Sequence, residues 1–383
     1  MQAADHSIKH TVIGPIPADW NIVTGGDMFQ FVNGQPHENL VTEHGKYVVV
    51  NSRFIATAGV SRKYARECLA PCHEGDILMV MSDIPNGRAL AKCYLVDRDD
   101  TYAVNQRICR LKPRGIYPPY AFLVLDRNAY YLGFNDGVNQ TNLRRSDVMG
   151  CPIAIPPTLN EQTAIAEVIG DTDAWLGAQD RLITKKRALK AALMAELLLP
   201  RKRLVGYSEA WQRVVLGDIA ALYQPVTISQ DVFTSTGYPV YGANGQIGYC
   251  SKYNHETPQI TISCRGNCGT VNITNGKAWI TGNAMVVNCD RTPGVDQRFL
   301  YHLLCLQDFS ALVTGSGQPQ IVRGPLASFQ LQLPSSIEEQ RAIAALLDSV
   351  DEELTALSKR REKTQLIRHS LMRELLTGRV RLV

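Results

Sequence analysis

Apolar residues recur at alternating steps of four and three along two stretches of the chain. In the later stretch they are Ile343, Leu347, Val350, Leu354 and Leu357, with Leu371 and Leu375 rejoining the pattern. In the earlier one they are Ile165, Ile169, Leu176, Ile183, Leu193 and Leu197. So narrow a stripe predicts a coiled-coil seam, which must be buried against a partner helix. Lys186 and Lys190 interrupt the first seam and Arg361 and Arg368 the second. Long cations at such positions cost stability but fix register and pairing.

Each seam opens on a helix-start signature, Thr158-Leu-Asn-Glu161 and Ser336-Ile-Glu-Glu339. Both read as capping boxes, in which the hydroxyl accepts from an orphan backbone N–H and the glutamate returns to the cap residue's own N–H. Pro156-Pro157 and Pro334 keep the helices from starting earlier. Pro200 and Gly378 mark the stops, each followed by basic residues that suit the negative end of a helix dipole. Each helix is therefore expected to run about 40 residues, or roughly 60 Å. Upstream of each helix the pattern changes to short β-branched and aromatic runs at 46–50, 76–80, 259–263 and 283–287. Broken by Gly, Asn and Pro, they predict strands joined by loops in mixed α/β domains.

The chain is written twice. Ile155-Pro-Pro-Thr-Leu-Asn-Glu-Gln-Thr-Ala-Ile-Ala166 matches Leu333-Pro-Ser-Ser-Ile-Glu-Glu-Gln-Arg-Ala-Ile-Ala344 at an offset of 178. The same offset places Leu193-Met-Ala-Glu-Leu-Leu198 on Leu371-Met-Arg-Glu-Leu-Leu376 and Arg201-Lys-Arg-Leu-Val205 on Arg379-Val-Arg-Leu-Val383. It also places Gly137-Val-Asn-Gln-Thr-Asn-Leu143 on Gly315-Ser-Gly-Gln-Pro-Gln-Ile321 and Asn105 on Asn283. Nearer the start of each copy the offset is 191, pairing Trp20 with Trp211 and Gly26-Asp27 with Gly217-Asp218, so 13 residues distinguish the intervening segments. So long a period signals duplicated domains and not a stacked array. The expected organisation is a variable domain at 1–156, a shared helical segment at 157–200, a second variable domain at 201–334 and a second helical segment at 335–383. The fold class is mixed α/β, with mixed β-sheets in both domains. Antiparallel pairing of the helices would relate the two copies by a pseudo-two-fold axis.

Composition narrows the class without choosing a function. Of 383 residues, 45% are hydrophobic and 20% charged, an ordinary globular balance. The start lacks the apolar core of a signal peptide and no apolar run is long enough to span a bilayer, so a cytoplasmic protein without membrane contact is expected. Ten cysteines fit reduced, mostly buried thiols. Cys68-Leu-Ala-Pro-Cys72-His73 and Cys264-Arg-Gly-Asn-Cys268 each lack a second ligand pair at zinc spacing, so no metal is expected. A net charge of +4 permits nucleic-acid binding without demanding it.

The helix start Glu-Gln-x-Ala-Ile-Ala, bounded by proline, and the helix end Glu374-Leu-Leu-Thr-Gly378 resemble those of Type I restriction-modification specificity subunits. With the repeated architecture, the resemblance covers essentially the whole chain. Tyr238-Pro-Val-Tyr-Gly-Ala-Asn-Gly-Gln-Ile-Gly-Tyr249 and 315–321 look like segments common in that family's recognition domains. The first copy departs from them, with Thr141 where the second has Pro319. The resemblance implies that the variable domains are target recognition domains reading the two halves of a double-stranded DNA site, and that the helices set the spacer. It further implies two methylation subunits carrying S-adenosylmethionine, joined in some complexes by restriction subunits that use ATP and Mg. This chain would make no bond and bind no cofactor.

Base edges are read by side chains that offer paired hydrogen bonds, Arg and Lys on guanine and Asn and Gln on adenine, while phosphate contacts hold register. Candidates on Gly-rich loops are Asn51, Arg53, Arg62, Lys63, Arg66, Asn86, Arg88, Gln140 and Asn142 in the first domain. In the second they are Tyr241, Asn244, Gln246, Lys252, Arg265, Asn267, Gln318 and Gln320. Two rival readings have less support. Tyr117-Pro-Pro-Tyr120 resembles the catalytic motif of amino-group DNA methyltransferases, but Tyr117 stands where Asn or Asp would bond the target, and no Gly-rich cofactor loop opens a helix. A coiled-coil scaffold for protein partners would also use two modules on a rod.

Overall fold

The structure, a computed structural model, describes residues 7–84, 87–315 and 317–382. Two compact units divide the chain: Met1–Ala178 with Glu362–Val383, and Gln179–Arg361. Each unit holds one variable module together with the start of one long helix and the end of the other.

In the first unit an antiparallel sheet places Cys93–Leu95, Ile77–Val80, Ile108–Pro113 and Phe29–Asn33 side by side. A second sheet runs Tyr102–Val104, Tyr47–Val50, Tyr64–Ala65, Val41–Thr42, its first pair parallel and the others antiparallel. The second unit repeats both arrangements. Ala221–Tyr223, Ala284–Asn288, Ile260–Ser263 and Val271–Ile273 form the antiparallel sheet. Trp279–Ile280, Tyr238–Gly242, Gly245–Cys250 and Phe233–Thr234 form the mixed one, again with its first pair parallel. The four runs predicted as strands are all strands, and the duplication reaches through modules whose sequences share little. Most of the length difference lies in one connection. Residues 51–63, with the helix Ser52–Ala56, link the paired strands Tyr47–Val50 and Tyr64–Ala65, where only residues 243–244 link their counterparts.

The long helices are Leu159–Leu197 and Ile337–Leu375, 39 residues each, as their spacing predicts. In the first unit Ile165 and Ile169 share a core with Leu375, Leu371, Trp20 and Phe31. In the second, Ile343 and Leu347 share one with Leu193, Leu197, Leu198 and Phe299. In both units the start of one helix lies against the end of the other, so the pairing is antiparallel. Ile183 and Val350 are buried in the seam, and Leu176, Leu354 and Leu357 are half-buried. The seam residues therefore divide their burial: those at the helix ends enter the module cores, and only the middle ones face the partner helix alone.

Every cation that interrupts the seam meets a carboxylate of the opposite helix. Lys190 Nζ lies 2.7 Å from Asp351, and Lys186 bonds Glu353. Arg361 Nε lies 2.5 Å from Asp180, and Arg368 grips both oxygens of Asp173. Half-exposed pairs like these are worth only roughly 0–1 kcal/mol each. Their value is in register, because a slip along the seam would separate all four at once.

Among the described residues no helix is long and apolar enough to cross a membrane.

Candidate nucleic-acid interface

In the first unit the connection 51–63 builds one wall of a cleft of about 470 Å³ lined by His37, Glu38, Asn51, Arg53, Lys63, Asn105, Gln106 and Arg107, among others. Asn51 caps the helix Ser52–Ala56, its Oδ1 accepting from Phe54 N at 2.9 Å. The cap turns Arg53 outward into solvent. Glu38 is the one anion among the described residues that line the cleft. Its own backbone N–H holds its carboxyl below the usual range, helped by the amides of Asn105 and Gln106. Arg53, Lys63 and Arg107 are exposed and make no ion pair among the described residues.

A second cleft, of about 370 Å³, is lined by Asn33, Ser82, Gln106, Arg107, Gln140 and Asn142 with Met81 and Leu143. Gln106 and Arg107 line both clefts, so the two form one continuous polar surface. The strand Thr141–Asn142 pairs with Ser82–Asp83, which sets Asn142 opposite Ser82. Gln140 Nε2 donates to Ser82 Oγ at 2.8 Å and to Asn142 Oδ1 at 3.2 Å. Beside them Asp83 accepts from the N–H groups of Ala89 and Leu90, holding the loop that carries the exposed Arg88. Arg62, which donates to Gly59 O, and Arg66 are exposed farther along the same connection or just beyond it. Asn86 lies outside the described residues.

In the second unit Asn244 sits in the two-residue turn of the hairpin Tyr238–Gly242/Gly245–Cys250, with Gln246 exposed just beyond and Lys252 after it. Arg265 and Asn267 are exposed on the loop after Ile260–Ser263, and a β-bridge ties Arg265 to Gln320. Gln318 is exposed two residues earlier. Tyr241 corrects the loop expectation. It lies in a strand, 8% exposed, with its hydroxyl accepting from Asn275 N at 3.2 Å, so it belongs to the module's framework. Sequence reasoning missed Ser82, Gln106 and Arg107. The alignment of Asn105 with Asn283 pointed to the right turn but not to the two side chains that follow it.

The other motifs fall elsewhere. Pro118 and Pro119 open the helix Pro118–Leu125, and Tyr120 is fully buried with its hydroxyl donating to Ala154 O, so no base can reach that ring. Cys68 and Cys72 both direct their sulfurs at the Tyr102 carbonyl, and burial pushes the Cys72 thiol up to about 12. Among the described residues one cluster has metal-ligand spacing, His302, Asp348 and Asp351. Its carboxylates are already neutralised by Arg298 and Lys190.

The shared motifs act as joints. Thr158 and Ser336 hydroxyls accept from the N–H of Glu161 and Glu339, which is half of each predicted capping box. The other half is not used. Glu161, fully buried, is held by Arg381, and Glu339, equally buried, by Arg203. Each arginine comes from the tail of the opposite repeat. The next residue fastens the module: Gln162 accepts from Tyr117 N and donates to Pro156 O, and Gln340 accepts from Asp296 N and donates to Pro334 O. The Glu-Gln dipeptide is thus a two-way junction, with burial setting its energy and the repeat setting its symmetry.

Two copies of one mixed α/β module, each exposing a cationic and amide-rich loop surface and each fastened to a pair of antiparallel helices, define a two-site recognition protein. The sequence matches the Type I restriction modification DNA specificity domain over residues 17–182 and 208–367, and the chain belongs to that family. It is 22% identical over 415 residues to the type I restriction enzyme MjaVIII specificity subunit of Methanocaldococcus jannaschii, covering 96% of this chain and 94% of the relative. A shorter stretch of 115 residues, 30% of this chain and 28% of the relative, is 34% identical to the EcoprrI specificity subunit of Escherichia coli. The fold is that of the S subunit of a Type-I restriction-modification system from M. genitalium, at a TM-score of 0.70 and 19% identity over 98% of both chains. It also resembles a chain from a study of complex assembly and conformational transition in the type I R-M system, at a TM-score of 0.56 and 17% identity over 95% of this chain and 99% of that one.

Proposed function

We propose that this specificity subunit reads a bipartite duplex target, one half with each module, and that its paired helices hold the two halves at a fixed spacing. The observation that carries the reading is the surface of the first module, where Arg107 shares one cleft with the interlocked amides of Gln140 and Asn142 and a second with Arg53 and Lys63, and none of the three cations makes an ion pair among the described residues. Cations without acidic partners suit phosphates, and amides suit base edges. Asn244, Gln246, Arg265, Asn267, Gln318 and Gln320 play the same parts in the second module. The chain supplies address and geometry and performs no chemistry itself. Two methylation subunits, bringing S-adenosylmethionine, dock along the helices, where Leu182 and Leu189 stand exposed one heptad apart. Restriction subunits using ATP and Mg join that assembly in the cytoplasm.

The test is methylome sequencing of cells that express the chain with its neighbouring methylation subunit, intact and with residues 1–156 replaced by another module. A bipartite methylated motif of which only one half changes supports the proposal. Methylation that is absent or indifferent to this chain overturns it in favour of a protein-binding scaffold.

A further inference from the structure

We propose that Gln140 and Asn142 act as one unit to read a single adenine in the half-site of the first module; the assignment rests on the DNA-reading function above and deepens it. An isolated Asn or Gln reads adenine with both ends of its own amide, donating to N7 and accepting from the N6 amino group. Gln140 is not free to do that here, and the Asn142 carbonyl already takes one hydrogen bond. Both hydrogens of the Gln140 amide are engaged, one by Ser82 Oγ at 2.8 Å and one by Asn142 Oδ1 at 3.2 Å. The atoms those two bonds leave over are Gln140 Oε1, an acceptor, and Asn142 Nδ2, a donor, on two exposed side chains. The outward pattern survives inversion of both amides, because Gln140 Oε1 would then accept from the Ser82 hydroxyl and from Asn142 Nδ2. One donor and one acceptor would still face outward.

That pattern matches adenine, whose major-groove edge offers N7 as acceptor and the N6 amino group as donor. Guanine presents two acceptors, N7 and O6, and would set one of them against the outward carbonyl. The array is anchored. Ser82 is 9% exposed and its strand pairs with that of Asn142, while both amides are exposed. The second module places different chemistry at the same point of its framework. There the bridge joins Arg265 to Gln320, so an arginine takes the ladder position that Ser82 has in the first module. A framework position that changes chemistry between copies while the sheets keep their order is one that sets specificity and not fold.

Two measurements test the assignment on the complex with its methylation subunits. In the methylome, Asn142→Asp replaces the outward donor by an acceptor while keeping the bond from Gln140. One adenine position of the first half-site should then lose its preference over the pyrimidines, which lack N7, by roughly 5- to 150-fold, the worth of a paired contact, while its preference over guanine, set by the Gln140 carbonyl, persists. The second half-site and the spacer should not change, and their persistence reports a folded, assembled chain. Asn139→Ala, whose amide is engaged by Asp136, should leave the motif intact. The second measurement uses the unaltered protein and duplexes carrying 7-deazaadenine at each adenine of the first half-site in turn. Loss of binding at one adenine, with no further loss in Asn142→Asp, supports the assignment. Undiminished preference for adenine over pyrimidines in the variant, relaxation at a position that is not adenine, or insensitivity to every 7-deaza substitution overturns it. If the intact chain directs no bipartite methylation, the parent reading falls and this one with it; if it does and the variant leaves the motif unchanged, only the adenine assignment falls.

Discussion

At the scale of single residues, the shared motifs were easier to find than to interpret. Glu161 and Glu339 stand three places after a hydroxyl residue, and that spacing predicts a capping box. Their carboxylates go to arginines 220 and 136 residues away, a contact that local spacing cannot encode. The buried pair is consequential. Arg381 is 8% exposed along its side chain and Glu161 not at all, so Arg381→Met strands a carboxylate in the core. Removing one partner of such a pair costs about 3–5 kcal/mol. Denaturant unfolding should show that loss in Arg381→Met and recovery of most of it in the double variant with Glu161→Gln. A second residue-scale effect is pH-dependent. Burial lowers the pKa of His302, opposed by its bond to Asp348, with Arg298, Lys190 and Asp351 the other charges facing it. A histidine depressed in the folded state leaves stability intact above its ordinary value of about 6.5 and drains it as the pH falls from there through the folded value. The unfolding midpoint should therefore drop between pH 7.5 and 5, and His302→Asn should flatten that part of the curve.

At the scale of elements, the helices were legible and the loops were not. A seam at steps of four and three, present in two copies, specifies a helix, its length and its need for a partner, and the structure agrees to within a residue or two. Strands were legible from β-branched runs. The clefts were not, because their walls come from the connection 51–63, the turn at 105–107 and the strand Thr141–Asn142, segments whose approach depends on sheet order. Tyr241 shows the same limit in reverse: a Gly- and Asn-rich segment looked like a loop and proved to be a hairpin strand. The packing also ranks the seam's parts. Leu347→Ala, at a fully buried site, should cost about 2–5 kcal/mol. Lys186→Ala, at a half-exposed ion pair, should stay within about 1 kcal/mol. Urea titrations of the two variants decide it, and comparable losses would mean that the ion pairs contribute more than register.

At the scale of the whole molecule, duplication was the strongest signal in the sequence, and it extends farther than sequence identity does. Identity fades within the modules, yet both keep the same two sheets in the same strand order. A duplicated design of this kind predicts separable functions. Insertion of one heptad into the middle of one long helix should change the permitted spacer in the methylated motif and leave both half-site sequences as they were. A motif with unchanged spacing would remove the helices from any measuring role. The crossed arginine clasps carry a consequence in time. Residues 362–382 belong to the same unit as the first module, and Leu375 and Arg381 complete its core and its joint. On the ribosome, the module that emerges before the other is therefore finished after it. At roughly 5–20 residues per second, its unsatisfied apolar strip around Ile165 and Ile169 waits on the order of ten to forty seconds for its partner. The nascent chain is exposed to chaperones, and to misassociation with a neighbouring nascent copy, for longer than the finished fold would suggest.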